Sequence, residues 1–133
     1  MTRLPRDIDQ TIETALQRAR AVPGFVGDNE LRFLGAMAAL TPAQGAILEI
    51  GSFKGKSTVM LATIAAHYDL DSVVAIDPHK GMGYVGTHVP DQDPTFNDFL
   101  ASLKSAGVEQ NVEAHRAFSR DVAAEWTLPI RLF

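Results

Sequence analysis

Cysteine is absent from the 133 residues. A disulfide framework, a cysteine-based zinc site and a thiol nucleophile are therefore excluded. Positive charge is also in short supply: 12 Lys and Arg stand against 16 Asp and Glu, a net charge of −4. That balance argues against broad binding to nucleic acid or to an anionic membrane. Long apolar runs are missing too. The uncharged stretch over residues 33–48 contains Pro42, Gln44 and Gly45 and falls short of the roughly 20 apolar residues of a spanning helix. The opening Met1-Thr-Arg-Leu-Pro-Arg is not followed by an apolar signal core, and a cytoplasmic location is expected. Internal repeats, low-complexity tracts and linkers are likewise lacking. What is present is an ordinary globular composition, 46% hydrophobic and 21% charged, at a length suited to one domain.

Ile8, Ile12, Leu16 and Ala19 share one helical face, and Val22-Pro-Gly breaks that helix. Asp28 suits the cap of a second helix, with Leu31, Leu34 and Met37 as its stripe. Thr41-Pro42 ends it. The pattern then changes. Ala46-Ile-Leu-Glu-Ile50 reads as a buried strand stopping at Gly51. From Ser57 to Tyr68 the chain is apolar nearly all round, a helix covered on most sides. Ser72-Val-Val-Ala-Ile76 is a second buried strand, ending at Asp77-Pro78. After a polar loop over residues 79–93, Asp93-Pro94 starts a helix striped by Phe96, Phe99, Leu100 and Leu103, and Gly107 suits its end. A third strand is expected over residues 111–115. Ser119 suits the cap of a helix with Val122, Ala123 and Trp126, and a fourth strand begins at Pro129. Strands alternating with helices indicate an α/β fold with a parallel sheet and right-handed crossovers. A buried strand that stops at a free carboxylate is unusual, so the sequence is expected to be a fragment or to lack a C-terminal part.

The informative segment is Ile47-Leu-Glu-Ile-Gly-Ser-Phe-Lys-Gly-Lys-Ser-Thr58, which joins strand to helix through a loop with Gly51 and Gly55. Glycine lets a ligand approach the backbone, and the helix start offers unpaired N–H groups and partial positive charge. A nucleotide, phosphate or carboxylate suits that position. Asp77 ends the next strand, where an acidic residue accepts the ribose hydroxyls of a nucleoside. Together the two features describe a nucleoside site beyond the carboxyl ends of the strands. The plain alternative is a βαβ unit with a tight turn and a capping Asp. Gly51-x-x-x-Gly55-Lys56-Ser57 also resembles a phosphate loop of an ATP- or GTP-hydrolysing protein. That motif needs four residues between its glycines where this chain has three, and Glu49 would repel a triphosphate. The dinucleotide fingerprint requires a glycine where Phe53 stands.

Glu49-Ile-Gly51-Ser-Phe-Lys-Gly55-Lys-Ser-Thr58 resembles the first motif of class I S-adenosylmethionine-dependent methyltransferases. It is especially similar to the branch with Glu-Ile-Gly-Ser-(aromatic)-x-Gly-x-Ser-Thr, which also carries Ile-Asp-Pro-(His or Trp) at the end of strand two. Ile76-Asp77-Pro78-His79 matches that second element. The similarity continues through Thr95-Phe96, Phe99, Leu103, Gly107-Val108, Ser119 and Trp126. The resemblance implies a Rossmann-like class I methyltransferase fold, truncated after about four parallel strands, with N-terminal helices. Residues 1–42 would be a helical segment serving as a cap or an oligomer contact, and residues 43–133 the cofactor-binding domain lacking its C-terminal part.

The implied cofactor is S-adenosylmethionine. Glu49 would meet the methionine ammonium. Gly51, Ser52, Phe53 and Gly55 would form the loop beside methionine and ribose. Lys56 and Ser57 open the helix, with Ser57 bonding the methionine carboxylate or simply capping. Asp77 would accept the ribose hydroxyls, Pro78 and His79 would flank adenosine, and Ala117, Phe118 and Ser119 would complete the adenine pocket. The implied reaction is O-methylation of a small molecule or a sugar, an in-line displacement in which the protein mainly positions the reactants. The implied partner is thus a small-molecule methyl acceptor, with no nucleic acid, no membrane, and a homo-oligomer left open. No residue is assigned as catalytic base. A nucleoside-binding domain without catalysis is the other class of reading.

His79, His88, Asp91 and Asp93 could bind a divalent metal but lack a recognised ligand spacing, so metal dependence is unsupported by the residues present. Residues 80–92 are long for a loop in a compact domain and suit a lid over the cofactor. His67 and His115, near element ends, are expected to be structural. The arginines 3, 6, 18 and 20 alternate with acidic residues, as on a solvated helix face.

Overall fold

The computed structural model describes residues 5–80 and 94–133. In chain order the elements are α1 (Ile8–Arg20), α2 (Asp28–Leu40), β1 (Ala46–Ile50), α3 (Lys56–His67), β2 (Val73–Ile76) and α4 (Pro94–Ala106). A short 3-10 turn then leads to β3 (Val112–His115), α5 (Ser119–Ala124) and β4 (Ile130–Leu132). The four strands form one parallel sheet in the order β3-β2-β1-β4. This is the Rossmann-like arrangement: the chain begins the sheet at β1, runs outward to β3, then crosses back to place β4 on the other side of β1. The reversal lies between β1 and β4, and the carboxyl end of β1 therefore opens on the switch point of the sheet.

Alternation along the strands sorts the core. Ile47, Val73 and Ala75 point to the face where α1, α2, α3 and α4 pack, and one buried cluster unites them with Leu16, Leu31, Met60, Ile64 and Phe99. Ala46, Val74 and Ile76 point the other way, under Val122 and Trp126. The middle helix α3 is buried from Thr58 to Ala65, because it lies between the sheet and the two N-terminal helices. On α1, Ile12, Leu16 and Ala19 are buried as the periodicity requires.

Three local expectations are corrected. Gly27, not Asp28, is the N-cap of α2; its N–H donates to Glu30 Oε2 at 2.7 Å. Asp28 sits in the first turn, where it pairs with Arg20. The inward face of α2 is Leu31, Gly35 and Ala38, while Met37 is exposed. Gly35 lies against the Met60 methyl, so small residues join Leu31 on the inward face, Leu34 packs at the edge of the core and Met37 alone leaves the expected stripe. Phe118, not Ser119, is the N-cap of α5, which ends before Trp126. Asp93, His88 and Asp91, and most of the expected lid, lie outside the described residues. Among the described residues no helix is long and apolar enough to cross a membrane.

Candidate functional site

The loop leaving β1 makes its turn through three left-handed residues. Gly51 and Gly55 have φ of 89° and 90°, and Phe53 has 49°. A Cβ placed on Gly51 would meet nothing within 4 Å, so glycine is required there by dihedral, and open space lies in front of the backbone. At Gly55 a Cβ would also press on the Phe99 ring, 3.1 Å away. The loop is tied to β2 and to itself: Gly51 N–H donates to Ile76 O at 2.9 Å, and Gly55 N–H to Ser52 O within the loop at 2.8 Å.

Asp77 is the main anchor. Its Oδ2 accepts from Phe53 N–H at 2.8 Å and its Oδ1 from His79 N–H at 2.7 Å. One carboxylate thus holds two residues in left-handed backbone, Phe53 and His79 (φ 51°). Strain of this kind persists where the surroundings enforce it. Each carboxylate oxygen retains a lone pair after these bonds.

Behind the loop stands Glu49. Ser57 Oγ donates to Glu49 Oε1 and Thr58 Oγ1 to Oε2, each at 2.5 Å. Burial pushes the Glu49 carboxyl above the ordinary carboxylate range, and the Ser57 and Thr58 hydroxyls pull it part of the way back. The Ser52 hydroxyl adds a weaker pull, yet it forms no hydrogen bond of normal geometry among the described residues, although Ser52 is only 3% exposed. A buried hydroxyl left in that state is unusual.

The remaining expected residues lie around this centre. The Lys56 stem packs against Gly24 of the α1–α2 connection, where an added Cβ would lie 3.0 Å from Lys56 Cβ. His79 is 3% exposed; its ring sits against Phe96 and Phe99, with Nδ1 3.3 Å from Thr95 Oγ1. Its ring is therefore packed against α4, while its N–H serves Asp77. Pro78 and Ser119 are half-buried, and Ser119 follows Phe118, whose ring lies under the Arg120 guanidinium at 5.1 Å. His67 is paired with Asp7 and His115 with Glu113. Among the described residues no group of three or more His, Asp or Glu is placed to hold a metal.

Sequence reasoning passed over Thr58 as a site residue. It is fully buried and holds Glu49, and the signal was its place directly after Lys56-Ser57 in the motif. It also passed over Phe33 and Met37 of α2, which with Leu48, Ile50 and Leu132 border a cleft beside Glu49, Gly51 and Ser57. The same geometry disfavours a phosphate loop. A hydroxyl that would face a phosphate-bound magnesium is instead engaged by a carboxylate behind the loop.

Comparison with known proteins agrees in kind. A family model described as a methyltransferase domain matches residues 48–133. The solved O-methyltransferase TomG from Streptomyces achromogenes, in complex with SAM, is 25% identical with a TM-score of 0.56, over 88% of this chain and 47% of that one. Cofactor-bound Rv0187 from MTB is 23% identical with a TM-score of 0.58, over 96% of this chain and 57% of that one. The chain thus spans about half the length of these solved proteins. A search of curated proteins finds no match.

Proposed function

The chain belongs to the family of methyltransferase domains, and on that premise we propose that it binds S-adenosylmethionine over the β1–α3 loop for O-methylation of a small molecule. The observation that carries this reading is the pair formed by Ser52 and Gly51: a buried hydroxyl with no hydrogen bond of normal geometry among the described residues, beside backbone that faces open space. A bound group with polar atoms at that point would satisfy the hydroxyl and fill the space, so the residues fit the cofactor.

Glu49 would hold the methionine ammonium, with the loop of Gly51, Ser52, Phe53 and Gly55 alongside. Asp77 has lone pairs left for the ribose hydroxyls and keeps the loop in register while it uses them. Pro78, the His79 backbone and Ser119 would border the adenosine, and the Lys56 and Ser57 backbone would offer the N–H groups of the α3 N-terminus. When bound, S-adenosylmethionine would supply an electrophilic methyl for an acceptor hydroxyl, with a neutral thioether as the leaving group and the hydroxyl proton passing to solvent. The chain's own part is orientation. Glu49 is engaged by two hydroxyls and Asp77 by two amides, so both act as binding groups rather than bases. Residues 1–42 would serve as a cover, since α2 borders the cleft beside the loop.

Calorimetric titration with S-adenosylhomocysteine, with Mg-ATP as control, tests the reading. Saturable binding of the thioether alone is expected. Ser52→Ala should weaken it by about tenfold, one lost hydrogen bond to a charged or polar group, with no loss of thermal stability. Binding of Mg-ATP in place of S-adenosylhomocysteine would overturn the proposal.

A further inference from the structure

Phe25 stands in the connection between α1 and α2, and its ring stacks on the ring of Phe53 in the glycine loop. The centroids are 5.7 Å apart and the planes 30° from parallel, inside the range of a favourable aromatic pair. The connection that carries Phe25 is fixed on both sides. Val22 is buried in the core, and the Gly27 N–H is held by Glu30 at the start of α2. Between them Gly24 rests on the first residue of α3, where an added Cβ would lie 3.0 Å from Lys56 Cβ. Phe53 is a residue in need of support. Its φ of 49° is one that bulky L residues rarely adopt. The bond from Phe53 N–H to Asp77 Oδ2 at 2.8 Å holds the backbone, and the Phe25 stack holds the ring. Lys54 Nζ, paired with Asp98 of α4 at 2.9 Å, stands 5.7 Å from the same ring.

We propose that Phe25 is a positioning residue for the cofactor loop: its ring holds Phe53 in the left-handed conformation and so keeps the loop and the Asp77 carboxylate in their binding arrangement. The inference rests on the methyltransferase reading above and adds to it a residue outside both the glycine loop and the strand ends. The argument is one of conformational equilibrium. A swing of Phe53 to extended backbone would draw its N–H away from Asp77 and its ring off Phe25, so the hydrogen bond and the stack are kept or lost together. The stack therefore biases the loop toward one of two forms. A ligand that needs that form binds in proportion to its population. Glycine at position 53 would adopt a positive φ without help. A bulky residue there calls for a brace, and Phe25 supplies it. The same contact gives the N-terminal helices a route to the cofactor site, since a shift of their connection would loosen the loop without touching the ligand.

The test reads the Phe53 amide by hydrogen exchange and the cofactor site by calorimetry with S-adenosylhomocysteine. Phe25→Ala should speed exchange at Phe53 N–H by about fivefold, the size of one aromatic pair, while the amides of β2 keep the parent's rate. It should weaken S-adenosylhomocysteine by about the same factor. The melting temperature should stay close to the parent's, because Phe25 is 78% exposed and its loss removes little buried surface. Phe25→Tyr keeps the ring and should restore both the exchange rate and the affinity. In a Phe53→Gly background, where the backbone needs no brace, Phe25→Ala should change the affinity by less than about twofold. Exchange at Phe53 unaltered by Phe25→Ala, or an equal loss of affinity in the two backgrounds, would overturn this inference. Should the parent still bind S-adenosylhomocysteine in that case, the proposed function stands. Faster exchange at Phe53 in the variant of a parent that binds no S-adenosylhomocysteine would instead overturn the proposed function, and with it the cofactor role given to Phe25.

Discussion

Thr58, in the first turn of α3, donates its hydroxyl to Glu49 near the end of β1 at 2.5 Å, and Ser57 takes the other carboxylate oxygen. The contact joins the two elements that flank the glycine loop. It also decides the chemistry of Glu49, because burial favours the protonated acid and hydroxyl donors favour the carboxylate. A carboxylate meant to meet an ammonium must stay ionised, and Thr58 works toward that.

Thr58→Val keeps the shape and removes the donor. The Glu49 carboxyl should then move further up, so the loss of S-adenosylhomocysteine affinity on acidification should begin at higher pH than in the parent. At neutral pH the affinity should fall by about tenfold, in line with the roughly 1–3 kcal/mol attached to a buried group deprived of its partner. Thr58→Ser should restore both the affinity and the pH profile. Calorimetry across a pH series reads this, and a pH profile identical in parent and Thr58→Val would show that Thr58 merely packs.

Glu49 itself should cost stability. Its carboxyl is raised above its ordinary value of 4.5, so the folded state holds the proton more tightly than the unfolded one. The corresponding stabilisation is complete below 4.5 and is lost as pH rises through the folded value. Glu49→Gln carries no charge and escapes that loss. Its melting temperature should exceed the parent's at pH 7 to 8, with the difference shrinking as pH falls toward 4.5, while S-adenosylhomocysteine binding drops. A melting temperature below the parent's at pH 8 would contradict the assignment. Stability given up at a binding carboxylate is a common pattern at functional sites.

These details set the boundary of what the sequence makes legible. The βαβ skeleton is plain because Ile47 and Val73–Ile76 are buried on a parallel sheet, where apolar runs need no alternation. The glycine loop and Asp77 are plain for the same reason: few residue types tolerate φ near 90°, and an acid at a strand end has few uses. The rest depends on contacts between distant segments. Gly35 turns inward because the Met60 methyl lies against it, which a hydrophobic stripe does not register. Thr58 reads as one more buried helix residue until the β1 end is set beside it. His79 reads as a loop side chain until α4 brings Phe96 and Phe99 to its ring. Asp77 reads as a ligand acceptor, and only the folded loop brings the Phe53 and His79 amides to it.

Arg131 makes a further link between segments far apart in the chain, and it too is invisible to periodicity. From β4 it donates Nε–H to Ala38 O at 3.1 Å and Nη1–H to Ala43 O at 2.5 Å. The carbonyls at the end of a helix lack intrahelical partners and carry partial negative charge, so a guanidinium suits the end of α2 twice over. Arg131 therefore fastens the last strand to the helix that walls the cleft, and a register shift between Ala46 and Ile47 in the β1–β4 pairing leaves that strand few ladder bonds of its own. Arg131→Met preserves the aliphatic stem and removes both donors. The expected cost is about 1–3 kcal/mol, seen as a lower urea midpoint with an unchanged slope. Arg131→Lys should recover only part of it, since an ammonium lacks the planar fork that reaches two carbonyls at once. S-Adenosylhomocysteine affinity should stay close to the parent's, because neither carbonyl belongs to the glycine loop. Full recovery by lysine would mean that charge alone near the helix end matters, and that the two-pronged geometry contributes nothing.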